Sequence, residues 1–145
     1  MKNRDLCRGK RLDNGEWVEG NIIQSGDAEE GWEAIIIPTM NSNMFTKHRP
    51  NELLGFENWF RIDPSTICKC TGLKDKNGKL IWENDIVNCM DAECCGYISW
   101  NESEAGFYFN VLLEDGRFEE EHIYDYQDGM EIIGNNFDNS ELLEV

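Results

Sequence analysis

The sequence predicts an all-β protein made of two small β subdomains, residues 1–60 and 61–145, with at most short helical turns. Three observations carry that expectation. Turn signals such as Asn14-Gly15, Asn77-Gly78 and Asp115-Gly116 recur at intervals of about ten residues. The runs between them are rich in β-branched and aromatic residues, which suit a pleated surface. Few stretches show the apolar spacing of a helix.

Met1 to Leu12 reads as a first strand with Leu6 and Arg8 alternating, and Asp13-Asn14-Gly15 as a tight hairpin turn. Glu16 to Ile23 returns, with Trp17 on one face and Val18 on the other. Gln24 to Gly31 is a polar, acidic loop. Trp32 to Ile37 is apolar enough for a buried strand, closed by Pro38. Thr39 to Pro50, with Met40, Met44 and Phe45, is the least readable segment. Asn51 to Ile62 reads two ways: a short helix capped by Asn51 and interrupted by Gly55, or a strand leading into Asp63.

The densest structural signals lie between Asp63 and Cys89. Asp63-Pro64-Ser65 is a turn, since Pro64 presets its φ and Asp63 can bond the amide two residues on. Thr66 to Thr71 follows as a strand that Gly72 breaks. Lys74 to Lys79 holds the Asn77-Gly78 hairpin turn, and Leu80-Ile81-Trp82 is the return strand. Glu83-Asn84-Asp85 is a second tight turn in which Asn84 takes a left-handed conformation. Ile86 to Cys89 begins the next strand.

Asp91 to Gly96 reads as a turn or bulge, and Gly96 to Trp100 as a strand. A polar turn ends at Gly106. Phe107 to Leu113 is the most β-prone run of the chain. Glu114-Asp115-Gly116 turns it back into Arg117 to Tyr126, with Phe118, Ile123 and Tyr124 as apolar anchors. Gln127-Asp128-Gly129 is a further turn. Met130 to Ile133 is the last strand, and Glu141 to Val145 a short helical turn. From Thr71 onward this order resembles a small, bent SH3-like barrel, an analogy of fold that names no function.

The string TGLKDKNGKLIWENDIV, Thr71 to Val87, resembles the core motif of the YopX family of phage and prophage proteins. That motif reads roughly T-G-L-x-D-x-N-G-x-x-I-[YFW]-E-G-D-I-V. The matching positions are Thr71, Gly72, Leu73, Asp75, Asn77, Gly78, Ile81, Trp82, Glu83, Asp85, Ile86 and Val87, and each is expected to be structural. Arg8-Gly9-Lys10-Arg11 with Asn14 to Gly20 is similar to the family's opening. Glu131-Ile132-Ile133-Gly134-Asn135 with Asn139 to Leu143 is similar to its closing E-V-I-G-N…N-P-E-L-L. The resemblance spans almost the whole chain, with a variable middle from about Asn21 to Phe60. Asn84 stands where the family usually has Gly, and Ser140 where it usually has Pro. The family implies a fold and a phage setting, and no established activity.

The chain has 145 residues, 40 % of them hydrophobic, with five Trp and seven Phe, so it can bury a core. No run approaches the roughly 18 apolar residues of a membrane span, and residues 1–11 do not read as a signal segment. The expectation is a soluble protein of the bacterial cytoplasm. The net charge is −16, of which residues 101–145 hold one Lys/Arg and thirteen Asp/Glu. A protein that tracks phosphates needs the opposite sign, which argues against direct nucleic-acid binding. Arg8, Lys10 and Arg11 read as a charged guard on an edge strand.

Nothing in the sequence demands chemistry, and no catalytic, cofactor-binding or metal-binding residue is expected. Cys68-x-Cys70 and Cys94-Cys95 lack the paired spacing of a structural zinc site, and with Cys7 and Cys89 they read as thiols, Cys68 and Cys89 in the core. His48 sits in a Lys-His-Arg cluster and His122 follows three Glu; neither adjoins a nucleophile motif. A calcium loop opening at Asp75 would put Ile86 where the closing Glu belongs. The expected function is therefore that of a non-enzymatic accessory protein, with no cofactor, which binds a protein partner or self-assembles. Exposed Trp or Phe from Asn21 to Phe60 would supply the contact. The alternative is an acidic DNA mimic, with Glu119-Glu120-Glu121 on its surface, that blocks a host DNA-binding protein. A third reading is an uncharacterised enzyme.

Overall fold

Turn-forming residues cut the chain into short strands, and the fold is all-β. The computed structural model describes residues 2–26, 33–39, 44–46, 54–56, 58–89, 93–126 and 129–145. The chain divides into two compact units, one of Asp5–Cys68 and one of Met1–Arg4 with Lys69–Val145.

Residues Lys2–Asp5 form a 3₁₀ turn, so the strand expected from the first residue begins later, as β1 (Cys7–Lys10). In the first unit follow β2 (Trp17–Ser25), β3 (Glu33–Pro38), β4 (Met44–Thr46), β5 (Leu54–Phe56) and β6 (Phe60–Ile62). Strands β1, β2, β3 and β6 pair antiparallel in that order, and β4 pairs with β5. Of the two readings of residues 51–62, the strand holds for its described part. Trp32, the rest of residues 39–50 around β4, and His48 with them, lie outside the described residues, apart from Thr39.

The β1–β2 turn closes through Arg11 N–H to Glu16 O at 2.9 Å. The core of this unit is Ala34, Ile36 and Ile62, with Val18, Ile22, Phe60 and Ile67 packed against it. Asp63 caps the 3₁₀ turn Pro64–Thr66, its Oδ1 accepting from Ser65 N–H at 3.0 Å. Thr66 Oγ1 accepts from Lys10 N–H at 2.8 Å, which ties that turn to β1.

The second unit is built from β7 (Cys68–Lys74), β8 (Leu80–Trp82), β9 (Asp85–Cys89), β10 (Cys94–Asn101), β11 (Gly106–Leu112), β12 (Phe118–His122) and β13 (Met130–Asn135). Five of them form an antiparallel sheet in the order β12-β11-β10-β9-β13, and β7 pairs with β8. Among the described residues no ladder joins β12 to β13, so these strands form an open sheet and not a closed barrel. Phe109, Ile98, Ile81, Val87, Ile123, Met130 and Cys89 are the core of this unit.

Gly72 does not end its strand. It sits at φ +79 inside β7, where the pairing skips from Cys70↔Trp82 to Lys74↔Leu80, so the glycine bends the strand as a bulge. Of the three expected anchors on the β12 side only Ile123 is buried; Phe118 is 42 % and Tyr124 61 % exposed. Phe118 and Tyr124 have one parity and Ile123 the other, so strand alternation could not have turned all three inward, and residues 123–125 leave the strand for a 3₁₀ turn that buries Ile123. Gln127 and Asp128 lie outside the described residues. The terminal helical turn is a 3₁₀ turn at Ser140–Leu143.

Candidate functional site

The motif residues come together as scaffold. Thr71 Oγ1 donates to Ile81 O at 2.7 Å and accepts from Leu73 N–H at 3.0 Å, so it bridges the β7–β8 pair. Asp75 Oδ1 accepts from the N–H groups of Asn77 at 2.8 Å and Lys79 at 2.9 Å. Gly78 adopts φ +80, and its N–H closes the turn on Asp75 O at 3.0 Å. Ile81, Trp82, Ile86 and Val87 are buried, and Leu73 packs on the core that holds Ile81 and Val87. Glu83 Oε1 accepts from Lys69 N–H at 3.2 Å. Asp85 is buried, and its Oδ2 accepts from Trp82 N–H at 2.7 Å. Asn84 has φ +69, the left-handed conformation its side chain tolerates.

The same geometry turns the Asp75 carboxylate toward the backbone. Both carboxylate oxygens already accept backbone N–H groups, the second from Ile132 at 3.1 Å. Burial pushes the Asp75 pKa up, but the N–H groups of Lys79, Ile132 and Asn77 and the charge of Lys79 outweigh it, and the pKa lies below the usual carboxylate value.

The concave site of the second unit lies away from these oxygens. A hollow of about 520 Å³ is lined by Trp100, Phe107, Tyr108, His122 and Tyr124, with Lys69, Cys70, Thr71 and the turn Glu104-Ala105-Gly106. Strand register assembles it. Trp100 stands opposite Phe107 and Tyr108 opposite His122. The first pair packs edge to face at 4.8 Å between centroids, and the second lies tilted at 5.1 Å. Lys69 Nζ sits 4.2 Å over the Trp100 ring. Ala105 is held at φ +50, in the turn where Asn101 Oδ1 accepts from Glu104 N–H at 3.1 Å. The Trp100 indole N–H is buried and finds no acceptor among the described residues. Orphaned donors and left-handed non-glycine residues both concentrate at working sites.

Histidine and cysteine chemistry is organised differently. His122 rests against Tyr108. Cys89 and Cys94 face each other across β9 and β10. Burial, followed by the charge and hydrogen bond of Cys89, pushes the Cys94 thiol up to about 11, which makes it a poor nucleophile. Among the described residues no group of three or more His, Cys, Asp and Glu is placed to hold a metal ion.

The N-terminal cations lie over rings. Arg8 is 4.7 Å and Lys10 5.4 Å from the Trp17 centroid, and Arg11 is 4.0 Å from that of Phe60. From the segment Asn21 to Phe60, Trp59 is 55 % exposed and borders a smaller hollow of about 350 Å³ with Leu12 and Arg61. The larger aromatic hollow was not singled out in the sequence, since its parts come from four separate stretches. The available signal was the Trp100-to-Tyr108 hairpin, with aromatics on both sides of one polar turn.

Over residues 7–144 the sequence matches the family described as YopX protein. The chain belongs to the YopX family. A solved structure with the same fold is the crystal structure of protein EF1440 from Enterococcus faecalis, 24 % identical, with a TM-score of 0.59 over 95 % of this chain and 96 % of that one. No curated protein matches this YopX-family sequence. Among the described residues no helix is long and apolar enough to cross a membrane.

Proposed function

We propose that this YopX-family chain is a phage or prophage accessory protein that works by binding a protein partner in the bacterial cytoplasm, without catalysing a reaction. The aromatic hollow is the observation that carries the reading. Its walls are rings held by strand register, and such walls supply contact area at low cost in side-chain entropy. We also read the chain order of the second unit as SH3-like, with its sheet left open where a barrel would close. In support, the β10-β11-β12 meander, the 3₁₀ turn Ile123–Asp125 and β13 returning to β9 follow the chain order of that fold. Self-assembly through an edge strand belongs to the same proposal, although the acidic face of β12 works against its use as an edge.

The test is affinity capture from host lysate with the wild-type chain and a Trp100→Ala variant, at low and high salt, read by mass spectrometry. A partner retained at high salt and lost with Trp100→Ala supports binding through the hollow. The acidic DNA-mimic reading draws on Glu119 and Glu120, both exposed on β12. It predicts the opposite pattern: capture that collapses with salt and ignores Trp100.

A further inference from the structure

We propose that the aromatic hollow takes the cationic side chain of a basic peptide, laid against Trp100 and Tyr124 in the position that Lys69 now holds over the indole. This deepens the protein-binding reading above and rests on it.

The argument begins with the ring that is already occupied. Lys69 Nζ lies 4.2 Å over Trp100, so this wall accepts a cation within the folded chain. Little else holds Lys69 there. Among the described residues its ion pair is to Glu102 at 4.0 Å, between side chains that are 46 % and 86 % exposed, a geometry that contributes little. The ammonium is therefore a displaceable occupant. An arginine would fit the same place better, because its planar guanidinium stacks on a ring face and sheds water more readily than an ammonium. Tyr124, 61 % exposed, offers a second ring at the mouth.

Charge selects the sign of the ligand. Residues 69–145 carry five Lys/Arg against eighteen Asp/Glu, a net charge of −13. Glu104 lines the hollow itself. A phosphate or carboxylate group would approach against that field, and a cationic peptide along it. The Trp100 N–H has no acceptor among the described residues; a backbone carbonyl of the bound peptide, and not its cationic side chain, is the group that could accept from it.

The experiment is selection from a random dodecapeptide library on the immobilised full-length chain, at about 0.15 M and about 0.5 M salt. Selected peptides are then resynthesised with arginine or with its neutral isostere citrulline, and affinities are measured by fluorescence anisotropy. Three results are expected. The selected peptides share an Arg or Lys. Citrulline at that position weakens binding about tenfold, and Tyr124→Ala, which leaves the charge unchanged and alters an exposed side chain, does the same. Lys69→Met, by vacating the indole, tightens binding about threefold.

Selection of peptides with no shared cation would overturn the proposal, as would equal affinity of the citrulline peptide. Unchanged binding to Tyr124→Ala would mean attraction to the acidic surface elsewhere. Weaker binding to Lys69→Met would mean an anionic ligand. If the library enriches nothing while Trp100 still governs capture from lysate, the cationic occupant fails and the protein-binding reading stands.

Discussion

The carboxylate of Asp75 accepts a hydrogen bond from the backbone N–H of Ile132 at 3.1 Å, across 57 residues of sequence. One buried side chain thus fastens the β7–β8 turn to β13, and Lys76 N–H adds a bond to Met130 O at 2.9 Å. Asp75→Ala would leave three backbone donors without their acceptor. The expected loss is about 2–4 kcal/mol in urea unfolding. A loss under about 0.5 kcal/mol would show that water replaces the carboxylate freely.

The pKa of Asp75 is lowered, and this sets an acid limb of stability. The contribution is fully present above the unfolded carboxylate value of 3.8 and drains away as pH falls below it toward the folded value. Unfolding free energy measured from neutral pH downward should fall in that window, and Asp75→Asn should flatten the fall. A wild-type curve and a variant curve of equal slope there would refute the assignment.

Asn84 at φ +69 is the position where the family usually has glycine. Its N–H donates to Ile98 O at 2.8 Å, its carbonyl accepts from Asn136 N–H at 2.9 Å, and its Oδ1 accepts from Asn136 Nδ2 at 3.2 Å. Asn84→Gly removes the left-handed strain and the side-chain bond to Asn136 together, so its net effect should stay within about 1 kcal/mol. Asn84→Ala loses the bond and keeps the strain, and should cost about 1–2 kcal/mol. Thermal unfolding of both variants gives the order, and an alanine variant as stable as the glycine one would contradict it.

The fold was legible where one residue decides the backbone locally. Gly78, Gly116 and Asn84 all adopt the positive φ that their turns required. Gly72 has the same freedom, at φ +79, yet its outcome depended on the pairing with β8, which the local sequence does not display. Phe118 and Tyr124 failed as anchors because both have the opposite parity to Ile123, the residue of the three that is buried, and which parity faces the core is set by tertiary pairing. The site was less legible than the fold. Lys69, Trp100, Tyr108 and Tyr124 meet only through tertiary pairing, and none carries a reactive signature of its own. The family motif drew attention to Thr71–Val87, whose polar groups are engaged in holding the backbone.

Cys94 gives a prediction about reactivity. Its thiol is pushed up to about 11, first by burial and then by Cys89 beside it. In the folded chain at about pH 8 it should therefore alkylate with iodoacetamide far more slowly than in urea, since the thiolate is the nucleophile. Because the folded value is raised, the associated stability is present below the ordinary value of 9.0 and is lost as pH rises from there toward about 11. Mass-spectrometric mapping of the labelled cysteines supplies the rate. Labelling of native Cys94 as fast as in urea would mean that the site is open to water.

Two glycines of the hairpin that bears the hollow should respond in opposite ways. Gly96 faces Val111 in the β10–β11 register, and a Cβ there would lie 2.0 Å from Asn110 O and 2.7 Å from Phe109 Cε2. The first obstacle is backbone of the central ladder and the second a fully buried ring, so neither can yield without separating the strands. Gly96→Ala should cost about 3 kcal/mol or more, the scale of overpacking in a dense core. Gly106, at the start of β11, has no atom closer than 3.8 Å to the same added carbon. Gly106→Ala should therefore stay within about 1 kcal/mol of wild type and leave the aromatic hollow usable. Urea unfolding of the two variants side by side is the measurement. A tolerated Gly96→Ala would mean that β10 and β11 are not paired in this register, and the placement of Trp100 beside Phe107 would fall with it.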